Sequence, residues 1–228
     1  MKKYYPWKCF IFIPVIFLFN ACTVVNQNDG TIIFTTHAAR NTENVSAFDE
    51  EFDPDQFVES VWESRAIPVF EERSVDLHAA RSAINANFGL ACDQYGLISN
   101  DKSGWIFIVS GEGKLLEVNR ASRNGTALVE IDSGDTAWTL QIQIGPVYKG
   151  MVLRDALPFI SFNDYRNQIV FSGISSAFNR KIDRDVVIPS AIDDTWIGKN
   201  IQFTGALSLR DRESDWVVTP VILSLDKE

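Results

Sequence analysis

The sequence predicts a mainly β, α+β fold: an antiparallel barrel with an inserted helix and an N-terminal helical pair. Three observations predict it. Apolar residues recur at helical spacing up to Tyr95, and after Gly104 the period becomes that of strands. Short β runs are then separated by glycine- and Asn/Asp-containing turns. A helical stretch over residues 161 to 180 interrupts the strands before a closing hairpin. Several antiparallel strands, one helix and a last hairpin is the element order of an oligosaccharide/oligonucleotide-binding (OB) barrel. A split α+β sandwich is the alternative.

Residues 1–21 read as a leader. Lys2, Lys3 and Lys8 make a basic start, and Cys9 to Phe19 is an apolar run too short for the roughly 20 residues of a spanning helix. Ala21 precedes Cys22, so Cys22 is the expected lipidation site, although the nearest Leu, Leu18, stands four residues before it rather than three. An uncleaved anchor or an unlipidated secreted protein is the other reading. Residues 22–50 are polar and mixed and read as a tether, with a short strand within Thr31 to Thr36. Thr23 directly after the Cys favours the outer membrane over the inner in a Gram-negative host.

Residues 51–228 are expected to form one globular domain, helical over 51–97 and barrel over 104–228. Asp53 caps a helix with Pro54 in its first turn; Phe57, Val61 and Trp62 share a face, and Pro68 is expected to break it. A second helix starts near Ser74, carries Leu77, Ile84, Phe88, Ala91 and Tyr95, and stops at Gly96. Residues 105–109 are a β run, Ser110-Gly-Glu-Gly113 a turn, and 114–119 the next run. Asn124-Gly125 marks a hairpin. Runs 126–132 and 136–144 flank the turn Ser133-Gly-Asp135, and Gly145-Pro146 ends the second. Ser161 and Asp164 suggest a capping box for helix 161–180, with Tyr165, Ile169 and Ala177 on one side and Phe171, Ile174 and Phe178 on another, so that the helix lies between two layers. Gly173 allows a close approach. Segments 200–209 and 216–225 close the fold.

Composition limits function. With the leader lysines gone, 18 basic residues face 30 acidic ones, formally −12, a surface that repels phosphate backbones and argues against nucleic acid as a partner. Cys92 is alone in the mature chain and is expected to be buried. His37 and His78 have no cysteine pair to complete a zinc site, so no metal or other cofactor is expected. Val129-Glu-Ile-Asp-Ser-Gly134 resembles an aspartic-protease signature, but a second copy is missing and Asp132-Ser-Gly suits a turn. Ser110-Gly-Glu-Gly-Lys114 lacks the spacing of a phosphate loop. No catalytic residues are assigned.

The densest polar stretch is Gly145 to Gln168. Its candidates for a ligand or partner surface are Tyr148, Lys149, Arg154, Asp155, Asn163, Tyr165, Asn167 and Gln168. In the competing reading Arg154 and Asp155 tie a loop down while Asn163 and Asn167 satisfy buried backbone groups.

Ile144-Gly-Pro-Val-Tyr-Lys-Gly150 followed by Leu153-Arg-Asp-Ala-Leu-Pro-Phe-Ile-Ser-Phe-Asn-Asp-Tyr-Arg-Asn-Gln168 resembles a family of predicted periplasmic lipoproteins, domain of unknown function 2291. Phe52-Asp-Pro54, Val61-Trp62, Ala91 through Gly96, Gly111-Glu-Gly113, Gly198-Lys199, Gly205-Ala206 and Thr219-Pro-Val221 agree in order, so the resemblance covers residues 52 to 222. Lys149 departs from it, where Arg is more usual. The resemblance implies a lipid-anchored periplasmic protein, often encoded beside sugar ABC-transporter genes, with no established catalytic residues. The expected function is therefore a non-enzymatic accessory or binding module for carbohydrate uptake. Its partners would be the membrane, through the lipid, and a transporter component or small polar ligand. An envelope structural or assembly protein, and a hydrolase with residues hidden in 145–168, are the alternatives.

Overall fold

The computed structural model describes residues 23–25, 32–34, 52–134, 136–165 and 167–226. The leader, Cys22, His37 and most of the tether lie outside them. The chain divides into two units, residues 1–50 and 51–228. In the first, strands β1 (Thr23–Val25) and β2 (Ile32–Phe34) pair antiparallel. Among the described residues no helix is long and apolar enough to cross a membrane.

The second unit opens with α1 (Pro54–Val61), capped by Asp53, whose carboxylate accepts from the Asp55 and Gln56 N–H groups. Pro68 does not break the helix. The chain widens into a π turn over Trp62–Ala66 and continues as α2 (Ile67–Arg73). The residue before the proline, Ile67, donates to the Trp62 carbonyl five residues back. The wider turn relieves the clash a proline ring makes with the carbonyl four residues before it. The same solution recurs at Asp183–Val187, where Ile188 donates to the Asp183 carbonyl ahead of Pro189.

Ser74 is not a cap. Its hydroxyl donates to the Glu71 carbonyl, and Val75–Asp76 forms a two-residue strand, β3. Asp76 caps α3 (Leu77–Ala86), and Asn87 both ends α3 and caps α4 (Phe88–Tyr95), splitting the expected second helix. Cys92 is buried in α4. A further two-residue strand, β4 (Leu97–Ile98), follows.

Three long strands then form the first part of the barrel: β5 (Trp105–Asn119), β6 (Asn124–Asp132) and β7 (Ala137–Pro146). The expected turn at Ser110-Gly-Glu-Gly113 is absent; β5 runs straight through it. The glycines serve close approach instead. A Cβ on Gly111 would stand 2.8 Å from Leu77 Cβ, and one on Gly113 would stand 2.5 Å from the Glu130 carbonyl oxygen. Here β5 changes partner. Residues 105–114 pair with β8 (Asn200–Leu209), and residues 114–119 with β6. One curved strand thus belongs to both sides of the barrel.

The circuit closes as β5-β6-β7-β9-β8 and back to β5, with β9 (Val217–Leu225) parallel to β7 and antiparallel to β8. This is the closed five-strand OB barrel that the element order predicts. Its interior holds Phe107, Leu115, Val129, Ile131, Leu140, Ile142, Phe203 and Val218, all buried.

Between β7 and β8 come a short helix α5 (Val152–Asp155), a 3-10 turn Phe162–Asp164, α6 (Gln168–Ile182), the second π turn, α7 (Ile188–Ser190) and a 3-10 turn Asp194–Trp196. Ser161 caps only the first 3-10 turn; α6 begins seven residues later under Asn167, whose Oδ1 accepts from the Val170 N–H at 2.8 Å. Of the two faces expected, Phe171, Ile174, Ala177 and Phe178 are buried, while Ile169 is 68% exposed in the first turn of α6. Trp62 packs on Phe178 with ring centroids 6.1 Å apart. Arg180 and Lys181 reach Asp55 and Glu59 of α1, exposed pairs that align the helices and stabilise them little.

Candidate functional site

The site follows from the one parallel pairing in the barrel. β7 and β9 share only two register positions, Gln141 with Val217 and Ile142 with Val218, before they diverge. The seam is filled by side chains. Gln143 Nε2 donates to Thr219 Oγ1 at 2.7 Å and to the Lys149 carbonyl at 3.2 Å, while Gln143 Oε1 accepts the Lys149 N–H at 2.6 Å. Gln143 and Thr219 are both buried. The amide thus replaces missing ladder bonds and folds the start of the 147–155 segment over the seam.

Above it lies a cleft of about 380 Å³. Its floor is Gln143, Thr219, Val217 and Ile106; one wall is Lys149 to Val152 with Asp155, another is Ser99, Asp101 and Ser103, and the rim is Ser208 near the end of β8 with Arg210 and Asp215 of the β8–β9 connection. The walls are fixed by hydrogen bonds between elements. Ser99 Oγ accepts from the Ser103 and Gly104 N–H groups and donates to Asp101 Oδ1 at 2.7 Å. The Ser99 hydroxyl, with the Ser103 N–H, holds the Asp101 carboxyl down to about 2, so it is an anion at neutral pH.

Arg154 and Asp155 knot the walls together. Arg154 Nη2 lies 2.6 Å from Asp155 Oδ1, with both side chains almost fully buried. Arg154 Nη1 donates to the Phe171 carbonyl of α6, and its guanidinium stacks 3.6 Å from the centroid of the Phe171 ring. Asp155 in turn accepts from Asn100 Nδ2 at 2.9 Å and from the Asn100 N–H at 3.3 Å. One ion pair therefore joins α5, α6 and the loop at residues 99–104.

The eight residues singled out in sequence do not form one surface. Lys149 and Asp155 line the cleft; Arg154 stands behind it. Tyr148 is buried, its hydroxyl donating to Asp183 Oδ1 at 2.9 Å; burial and that carboxylate push its phenol far above the ordinary range. Tyr165 is half-buried among Phe52, Phe57 and Phe171, with centroids 5.7 to 6.2 Å away, and burial raises its phenol too. Asn167 serves as a cap, and Asn163 and Gln168 are exposed on the 3-10 turn and on α6. Ser99, Asp101, Gln143, Arg210, Asp215 and Thr219 are not distinguished by the sequence. They belong to separate strands and loops, and only the Thr219-Pro-Val221 landmark falls near any of them.

The remaining motifs are structural. Asp132 is exposed in the β6–β7 turn, where its Oδ1 accepts the Gly134 N–H at 2.8 Å and Gly134 takes φ +81°. His78 is exposed on α3, and the described residues contain no group of three or more metal-ligating side chains.

The model of the predicted periplasmic lipoprotein family, domain of unknown function 2291, matches residues 12–224. The chain belongs to that family. The match begins upstream of Cys22 and takes in all of the barrel but the last residue of β9. Among solved structures, this lipoprotein is similar to an OB-fold protein from Thermotoga maritima, with a TM-score of 0.62 and 16% identity over 77% of this chain and 99% of that one. The likeness at that identity concerns the fold. No curated protein matches.

Proposed function

We propose that this lipoprotein is a non-enzymatic accessory or binding module for carbohydrate uptake, held at the membrane by lipid on Cys22, with the seam cleft as its ligand face. The observation that carries the reading is the cleft itself. It combines hydroxyl, amide and carboxylate groups, the kinds that read a hydroxylated molecule, on walls held in place by buried hydrogen bonds. Its most buried carboxylate, Asp155, is engaged by Arg154 and Asn100, an arrangement suited to holding shape. Register puts Glu117, Leu128, Glu130, Thr139 and Gln141 together across β5, β6 and β7, a face with more acid than base, which favours a partner other than nucleic acid. The sugar-transporter neighbourhood implied by the family resemblance supplies the ligand class.

The test is a survey of soluble sugars by thermal shift, since a ligand that binds only the folded state raises the melting temperature, paired with growth of a deletion strain on each sugar. At least one sugar should raise the melting temperature and support slower growth of the deletion strain. A chain that no sugar stabilises, in a strain that grows normally on all of them, sinks the reading and favours an envelope assembly role.

Anchoring is tested separately. A palmitate analogue should label the wild type and leave Cys22→Ser unlabelled; equal labelling of both would remove the anchor. Thr23 after the Cys supports outer-membrane placement in a Gram-negative host, and the labelled protein should then fractionate with the outer membrane.

A further inference from the structure

The barrel is closed, yet one of its strands keeps an open edge. β9 pairs with β7 only at Val217 and Val218, and thereafter it has β8 on one side alone. A bulge follows the departure. Gly205 faces Pro220 and Thr204 faces Ile222, so Val221 has no partner on β8. The phase of the remaining ladder is set by the bond from the Asp226 N–H to the Asn200 carbonyl. Bonded and non-bonded positions alternate in an antiparallel pair. Ile222 and Ser224 therefore turn their backbone groups toward β8, while Leu223 and Leu225 turn theirs away. Among the described residues no backbone group pairs with those outward N–H and C=O groups.

The edge lies in a groove. Residues 221 to 225 all line a depression of about 560 Å³. Consecutive residues of a strand send their side chains to opposite faces, so an unbroken run can share one surface only along the strand's edge. The opposite wall is Val186, Pro189, Ser190 and Trp196, with Asp185 at its end. Asp185 is held by Lys181 and Arg184, which leaves the groove without an unpaired charge. Proteins usually blunt an open edge with lysine, proline or another charge. Residues 222 to 225, Ile-Leu-Ser-Leu, carry none of these, and Ile222 is 39% exposed.

We infer that this edge docks an extended, uncharged segment of a partner protein, added to the sheet as one more strand, independently of what the seam cleft binds. Donor and acceptor pairs that recur at every second residue match a peptide backbone in strand conformation and match no compact solute. Walls without spare charge select uncharged side chains, because a charge brought there would lose its hydration unpaired. A second copy of this chain is a poorer fit. Its own β9 edge is recessed behind the same wall, and a sheet continued from barrel to barrel would have to pass through Pro189 and Trp196.

The experiment follows amide hydrogen exchange at Leu223 and Leu225 in the full-length chain purified in detergent, alone and with the peptide acetyl-Ser-Val-Thr-Val-Thr-Val-Ser-amide. Alone, both amides should exchange far faster than those of Ile222 and Ser224, which are bonded to β8. Peptide at about ten times its dissociation constant should slow both about tenfold. The same peptide N-methylated at its five central residues, which cannot pair as a strand, should slow neither. Leu225→Pro removes an N–H that faces the groove and should weaken the peptide about two- to tenfold more than Leu225→Ala, the share of one hydrogen bond. A peptide that leaves both amides unchanged overturns the inference. An N-methylated peptide that protects as well as its parent overturns strand addition. Amides already protected in the free protein overturn the assignment to a partner: protection independent of protein concentration puts a segment of the same chain in the groove, and protection that grows with concentration puts a second copy there.

Discussion

Arg154→Ala should be the most damaging single substitution in the connection between β7 and α6, lowering stability by about 3–5 kcal/mol. The loss does not measure the worth of the ion pair, because a buried pair is close to break-even against an apolar replacement. It measures what is left behind. Asp155 would stay buried with its charge, keeping Asn100 as its only donor among the described residues, and the Phe171 carbonyl would lose the Arg154 Nη1 donor. The Phe171 ring would lose the guanidinium stacked on it. In a unit of this size the change corresponds to a fall in melting temperature of roughly 10 °C. The control is the double replacement Arg154→Met with Asp155→Leu, which removes both charges and should recover much of the loss. Denaturant melts of the three chains decide the matter. A single variant that melts like wild type would mean that Asp155 reaches water and that the knot is a surface pair. If Arg154→Ala melts early but binds a ligand found for the wild-type cleft normally at low temperature, Arg154 acts only by positioning the walls.

Gly173→Leu should cost about 1–3 kcal/mol by overpacking, and Gly173→Ala should stay within about 1 kcal/mol of wild type because two effects oppose. A Cβ at position 173 would meet Pro54 Cγ at 3.1 Å, a contact that requires α1 to yield by a few tenths of an ångström. Against this, alanine in a helix interior is favoured over glycine by up to about 1 kcal/mol. Leucine adds atoms that the junction of α6 with α1 has no room for. The contrast between the two variants, read from denaturant midpoints, isolates packing from helix propensity. Equal midpoints for Gly173→Leu and wild type would place position 173 in open solvent and separate α1 from α6.

The misreadings of the sequence have identifiable causes. Ser110-Gly-Glu-Gly113 has turn composition, yet its glycines make room for Leu77 and for the neighbouring β6 strand, partners that are distant in sequence. Pro68 carries the signal of a helix end, but a π turn one residue earlier accommodates it, and π hydrogen bonding leaves no periodic signature in so short a segment. Ser161 with Asp164 has capping-box spacing but caps only a 3-10 turn, while α6 is capped by Asn167, whose third following residue is Val170 and which therefore carries no capping-box pattern. Arg154 and Asp155 are adjacent, and neighbours in a helix do not ordinarily face each other, so adjacency alone leaves their pairing open.

What the sequence determined by itself is whatever repeats at short range. The alternation of β6, β7, β8 and β9, the Asp53-Pro54 helix start, the burial of Cys92 and the turn role of Asp132 all depend on residues within one or two turns of each other, whereas Asn124-Gly125, expected as a hairpin turn, lies inside β6 and pairs with Pro146 and Gly145 of β7. Their order along the chain pointed to the OB barrel, and the tertiary structure joined the expected runs 105–109 and 114–119 into the single strand β5. The tertiary structure alone decided the site. Gln143 and Thr219 lie 76 positions apart, Asn100 and Asp155 lie 55 apart, and each pair meets only because the barrel closes through one short parallel seam. Hydrogen bonds between single side chains at such separations impose no period on the sequence. A cleft built from them becomes visible only when the strands that carry them are placed side by side.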